Sequence, residues 1–82
     1  MIWHEEKNHL QANFKFKDFA EAFGFMTEVA LYVQQHDHHP NWSNMYNTVE
    51  IQLATHSAGN IVTEKDRKLA EVIEAVYKKY KP

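Results

Sequence analysis

Asp37-His38-His39-Pro40 is the stretch of this sequence best equipped for chemistry. Six histidines occur in the 82 residues, and four of them stand at positions 36, 38, 39 and 56. Histidine is seldom buried in runs, so adjacent imidazoles between a carboxylate and a proline are not explained by packing. An unperturbed pKa of about 6.5 lets one ring give and another take a proton at neutral pH. Two or three such rings in one cleft can protonate a leaving group and remove a proton elsewhere on the same substrate. Asp37 and Asp66 are carboxylates able to orient or polarise those rings. Ser43 and Ser57 lack the sharp turn that exposes a serine nucleophile. With only Gly24 and Gly59, there is no glycine-rich phosphate loop.

Two other readings of the cluster stand beside acid–base catalysis. His36, Asp37, His38, His39 and His56 hold enough nitrogen and oxygen donors for zinc, but their spacing matches none of the usual signatures, such as two histidines one helical turn apart. A histidine-rich surface turn without chemistry is the plainer alternative. Pattern alone explains Asp66 as part of a helix cap, Trp42 as a cross-strand aromatic and Thr55 as a polar residue at a sheet edge.

Composition limits the partners. Eighty-two residues make one domain near the size where a single core is only just adequate, so association of copies is expected. A net charge of −2 offers no basic face for nucleic acid. The chain has no cysteine to mark an oxidising compartment. His4, Glu5 and Glu6 interrupt any signal-peptide pattern, and no window reaches the roughly 18 apolar residues of a membrane span. The expectation is a cytoplasmic protein with no membrane partner.

The elements that must position the histidines follow from periodicity. Residues 2–16 predict a β-hairpin in which Ile2-Trp3-His4 is a short apolar start and Lys7-Asn8 the turn. His9 to Phe16 then alternates, with Leu10, Ala12, Phe14 and Phe16 on the buried face. His4 and His9 are read as solvated strand residues. Asp18 caps a helix, and Glu21 suits both a capping box and the positive helix end. Phe19, Ala22, Phe23, Met26, Val29, Ala30 and Val33 form the stripe expected on the sheet, with Phe25, Leu31 and Tyr32 partly off it. Pro40 and the poor helix formers before it end this helix near Gln35.

Read as one strand, residues 41–56 would reach roughly 50 Å at about 3.3 Å per residue, far beyond the usual strand. A hairpin turning near Asn47-Thr48 is expected instead, pairing Tyr46 with Val49, Trp42 with Leu53 and His39 with His56. That register folds distant imidazoles together. It sets Trp42, Asn44 and Tyr46 beside Val49, Ile51, Leu53 and Thr55, with Glu50, Gln52, Ala54 and His56 opposite. Asn47-Thr48 is not a favoured two-residue turn, which leaves room for the register to slip. Ser57-Ala58-Gly59-Asn60 is a turn by composition. Thr63 caps the last helix with Asp66 at its third position, and Leu69, Val72, Ile73, Val76, Tyr77 and Tyr80 form its stripe. Lys78, Lys79 and Lys81 suit its negative end. The order is ββαββα, and the simplest fold is α+β: two layers, with two helices on one face of a four-stranded antiparallel sheet. The other face is solvated or covered by a partner.

Phe14-x-Phe16-x-Asp18-Phe19-x-x-Ala22-x-x-Phe25-Met26, Asp37-His38-His39-Pro40, Tyr46-Asn47-x-Val49, Thr55-His56, and Asp66 with Leu69-Ala70 together resemble a pterin-4a-carbinolamine dehydratase. The likeness runs from about Phe14 to Tyr77, and its specific part is His-His-Pro followed by Tyr-Asn and then Thr-His. It implies the same ββαββα order. It also implies dehydration of 4a-hydroxytetrahydrobiopterin to quinonoid dihydropterin, which recycles the cofactor of aromatic amino acid hydroxylases. The family's three active-site histidines carry over to His38, His39 and His56, with Asp37, Trp42, Thr55 and Asp66 as substrate-binding or supporting positions. The resemblance implies no metal and no dissociable cofactor, and it implies homodimers or homotetramers. A protein-binding dimerisation cofactor is the second function known in such a family.

The chain also departs from that pattern. Family members usually carry an N-terminal helix ahead of the tryptophan that Trp3 matches, and residues 1–82 are expected to form a single domain without it. Asn41 stands where the family commonly has an acidic residue, Asn60 where it usually has a second glycine, and Gln34 where a charged residue is frequent.

Overall fold

The computed structural model describes residues 2–80. Its elements are β1 (His4–Glu6), β2 (His9–Lys15), α1 (Phe19–His36), β3 (Asn41–Met45), β4 (Thr48–Leu53) and α2 (Glu64–Lys78), with a 3₁₀ turn at His56–Ala58 before α2. The four strands form one antiparallel sheet in the order β1-β2-β4-β3. The ββαββα order and the α+β class agree with the sequence reading.

The first hairpin closes where expected. Lys7 and Asn8 both take positive φ, 47° and 69°, as a two-residue turn matched to strand twist requires. Register with β4 then follows from burial: Leu10 faces Leu53, Ala12 faces Ile51 and Phe14 faces Val49, all buried. The helices cover this face, and Phe14 packs its ring 5.1 Å from Phe25 of α1 and 4.8 Å from Tyr77 of α2. The opposite face is polar, with Gln11 Nε2 donating to Glu50 at 2.9 Å and Gln52 Nε2 donating to Gln11 at 3.4 Å.

Helix α1 starts at the predicted cap, where Asp18 Oδ1 accepts from the Glu21 N–H at 2.8 Å. The Glu21 carboxylate accepts from the Lys17 N–H, not from the cap residue itself. The stripe is rotated from the expected one. Ala22, Phe25, Val29 and Val33 are buried, while Phe19 and Phe23 are 47% and 54% exposed. Apolar residues at 19, 22, 23, 25 and 26 permit two faces, and the rings of Phe14, Phe16 and Tyr77 around Phe25 select the second.

The second hairpin turns at Tyr46-Asn47, so Trp42 pairs with Ile51, not Leu53. Side-chain amides set this register. Asn44 Nδ2 donates to the carbonyls of Tyr46 and Thr48, while Asn47 exchanges two bonds with the Phe16 backbone, one through its own carbonyl and one through its amide. A shift of two residues keeps Trp42 and Asn44 on the same face as Val49, Ile51 and Leu53, as expected, but moves Tyr46 out of the strand into the turn. It does end β4 at Leu53, so His56 lies in the 3₁₀ turn and is not a strand partner of His39.

Helix α2 buries Leu69, Ala70, Ile73 and Val76. Lys79 ion-pairs with Glu28 of α1, and Tyr80 Oη reaches the same carboxylate, so this end of α2 is fastened to its neighbour. Lys81 lies outside the described residues. No helix among the described residues is long and apolar enough to cross a membrane.

Candidate active site

The site begins at the end of α1. Asp37 takes a left-handed φ of 51°, and its N–H reaches back to the Gln34 and Val33 carbonyls. Aspartate is among the few residues that tolerate this conformation without being glycine. The reversal carries His38 to α2, and Pro40 leads the chain into β3.

Asp66 meets it there. This carboxylate is fully buried at the third position of α2. Its Oδ1 lies 2.6 Å from His38 Nε2, and its Oδ2 accepts from Thr55 Oγ1 at 2.7 Å and from the Thr63 N–H at 2.8 Å. The hydroxyls of Thr55 and Thr63 are 2.5 Å apart. Because Thr55 has one hydroxyl proton and gives it to Asp66, Thr63 is the donor between them. Burial is the largest single influence on Asp66 and opposes its ionisation. The bonds from His38, the Thr63 N–H and Thr55, with the electrostatic attraction of His38, together outweigh it and hold the carboxyl below its usual range. An ionised carboxylate only accepts, so His38 carries a proton on Nε2. Its Nδ1 has no hydrogen-bond partner among the described residues and is not enclosed.

His56 is held by a turn. The Thr55 N–H donates to Ile61, the Gly59 N–H to His56 and the Asn60 N–H to Thr55, closing a compact loop. His56 Nδ1 lies 2.9 Å from Asn60 Oδ1. A cleft of about 320 Å³ is lined by Asp37, His38, His39, Thr55, His56 and Lys65 among others. His39, Ala54 and His56 also line an adjoining cleft of about 390 Å³ with His9, Gln52 and Asn60. The fold therefore gathers His38, His39, His56, Asp37 and Thr55 around one space, with Asp66 directly behind.

Trp42 does not line either cleft. It borders a hollow of about 70 Å³ with Asn41, Ser43, Glu50 and Gln52. Among the described residues no three His, Asp or Glu side chains are arranged to hold a metal ion. Three contributors were not singled out from sequence: Thr63, Asn60 and Lys65. Thr63 had a signal, since a Thr-x-x-Asp cap supplies the N–H that binds Asp66. The other two depend on how the turn lies against α2.

Comparison with known proteins identifies the family. The family described as Pterin 4 alpha carbinolamine dehydratase matches residues 2–76. A relative in Nitrobacter hamburgensis, provisionally named a pterin-4-alpha-carbinolamine dehydratase, is 55% identical over 67 residues; the match covers 82% of this chain and 65% of that relative's length. One from Prochlorococcus marinus with the same provisional name is 47% identical over 77 residues, covering 94% of this chain and 79% of its own. The crystal structure of a transcriptional coactivator/pterin dehydratase from Brucella melitensis has a TM-score of 0.88 at 47% identity, covering 93% of this chain and 82% of that one. A pterin dehydratase-like protein identified as a RuBisCO assembly factor in the alpha-carboxysome shares the fold, with a TM-score of 0.78 at 24% identity, over 94% of this chain and 90% of its own. By sequence and by fold, the chain belongs to the pterin 4 alpha carbinolamine dehydratase family.

Proposed function

We propose that this chain dehydrates a 4a-hydroxytetrahydropterin, such as 4a-hydroxytetrahydrobiopterin, to the quinonoid dihydropterin and water. The observation that carries this reading is the convergence of His38, His39 and His56 on one cleft, with His38 backed by the buried Asp66. In the reaction the C4a–O bond breaks as the oxygen takes a proton and leaves as water. The N5 proton is removed, and its bonding electrons form the C4a–N5 double bond.

His38 suits the base. Its Nδ1 takes the N5 proton, and Asp66 balances the charge that forms on the ring. His39 has no side-chain hydrogen bond among the described residues, and it delivers the proton to the departing oxygen. His56 accepts from the 4a-hydroxyl and orients it. Asp66 and Thr55 act from behind as positioning residues, Asp37 lines the entrance, and Trp42 contributes only if substrate extends toward its separate hollow. Proton transfer by such groups contributes about 10²–10⁴-fold each. The chain needs no metal or cofactor for these steps.

Recycling of tetrahydrobiopterin in the cytoplasm belongs with this reading. So does a homodimer or homotetramer, supported by the free edge of β3 and by the exposed rings of Phe19 and Phe23, 5.6 Å apart. Those rings, with Leu31, Met45 and Tyr46, also favour a second reading, a protein-binding role without catalysis. Such a role gives no reason for a buried carboxylate behind His38.

The test is the rate of dehydration of hydroxylase-generated 4a-carbinolamine by purified protein in chelator. Wild type is expected to accelerate it, and His56→Ala to lose most of that rate. Acceleration only after adding zinc would replace this reading with a metal site. No acceleration in either condition would leave the binding role.

A further inference from the structure

We infer that Asn60 is a positioning residue that holds His56 in the tautomer protonated at Nδ1, so that Nε2 offers its lone pair to the cleft. This rests on the acid–base reading above, and extends it to a residue that the histidine pattern did not mark. His56 Nδ1 is 2.9 Å from Asn60 Oδ1. A carboxamide oxygen only accepts, so the ring nitrogen is the donor and the neutral ring keeps its lone pair on Nε2. The partner of one ring nitrogen decides what the other can do.

The backbone makes this contact repeatable. Asn60 has a φ of 60°, directly after Gly59 at 90°. Asparagine is enriched in this left-handed region, where most side chains are strained. The Gly59 N–H bonds the His56 carbonyl at 3.0 Å and the Asn60 N–H bonds the Thr55 carbonyl at 3.0 Å. The two Cα positions are thereby fixed one turn apart, with the amide aimed at the ring. Asn60 and His56 then line the same cleft as His39. The bond is exposed, so it adds little to folding stability. Its consequence is chemical: it selects which nitrogen meets substrate.

The experiment reads the tautomer directly from long-range ¹H–¹⁵N spectra of the imidazoles at alkaline pH, where the rings are neutral. Two variants keep the left-handed backbone: Asn60→Gly removes the acceptor, and Asn60→Asp retains one. Wild type and Asn60→Asp are expected to show His56 protonated at Nδ1, whereas Asn60→Gly releases the proton to exchange between both nitrogens. On the proposed substrate, Asn60→Gly should lower kcat by about three- to tenfold with little change in KM, the scale of one hydrogen bond in the transition state. A wild-type ring protonated at Nε2, or an unchanged His56 pattern in Asn60→Gly, overturns the inference. If wild type dehydrates no pterin yet Asn60→Gly shifts the tautomer, the inference stands and the dehydratase reading fails.

Discussion

His38 and His56 meet the same cleft but are held by opposite means. His38 is fastened to a fully buried carboxylate that is itself bonded by Thr55 and Thr63. His56 sits on an exposed turn and has, among the described residues, a single side-chain bond, to Asn60. The first arrangement ties a reactive ring to the start of α2 and therefore to the core. The second adjusts a ring without involving the core. Substitutions behind His38 should therefore cost stability and rate together, and substitutions behind His56 should alter rate alone.

The largest effect that could break this contrast is at Asp66. Asp66→Asn leaves three donors facing an amide that can satisfy them only in part. Unfolding in urea should show a loss of about 3 kcal/mol, the upper scale for buried donors deprived of a charged acceptor. Dehydratase activity should fall with it. A variant as stable as wild type would show that Asp66 is not bound as described.

Acid gives the next test. The folded state holds the Asp66 carboxyl below its usual range, so its contribution is fully present above the unfolded value of about 3.9. That contribution is lost as pH falls through the folded value. Wild type should therefore weaken more steeply below pH ~4 than Asp66→Asn does. Parallel curves in pH-dependent urea titrations would contradict the ionised, hydrogen-bonded carboxylate.

Thr63→Val removes the hydroxyl that supports Thr55 but keeps the N–H that binds Asp66. A loss of about 1–2 kcal/mol is expected, as for a deleted helix cap, measured by thermal unfolding. Smallest is Asn60→Gly, which should change stability by less than about 0.5 kcal/mol, as for a surface site. A large loss there would make the turn as structural as the His38 side and remove the distinction.

What could be read from the chain itself divides along the same line. Local chemistry was legible: Lys7-Asn8 turns, Asp18 caps and Pro40 separates α1 from β3, whereas the expected strand pairing of His39 with His56 does not form, because β4 ends at Leu53 and a 3₁₀ turn carries His56. Long-range choices were not. The stripe of α1 has two possible faces, and only contact with Phe14, Phe16 and Tyr77 favours Phe25 over Phe19 and Phe23. The hairpin register depends on Asn47 bonding Phe16, thirty-one residues away. Asp66 was legible as a cap and as a carboxylate able to orient a histidine, but which ring its other oxygen meets, His38, was not.

The central claim is that His38, with Asp66 behind it, removes a proton from a 4a-hydroxytetrahydropterin. Stopped-flow dehydration by wild type and His38→Ala, in chelator and at matched folded fraction, tests it most directly. The account predicts acceleration by wild type and a rate lower by about 10²-fold or more for His38→Ala. Equal rates for the two proteins would contradict it.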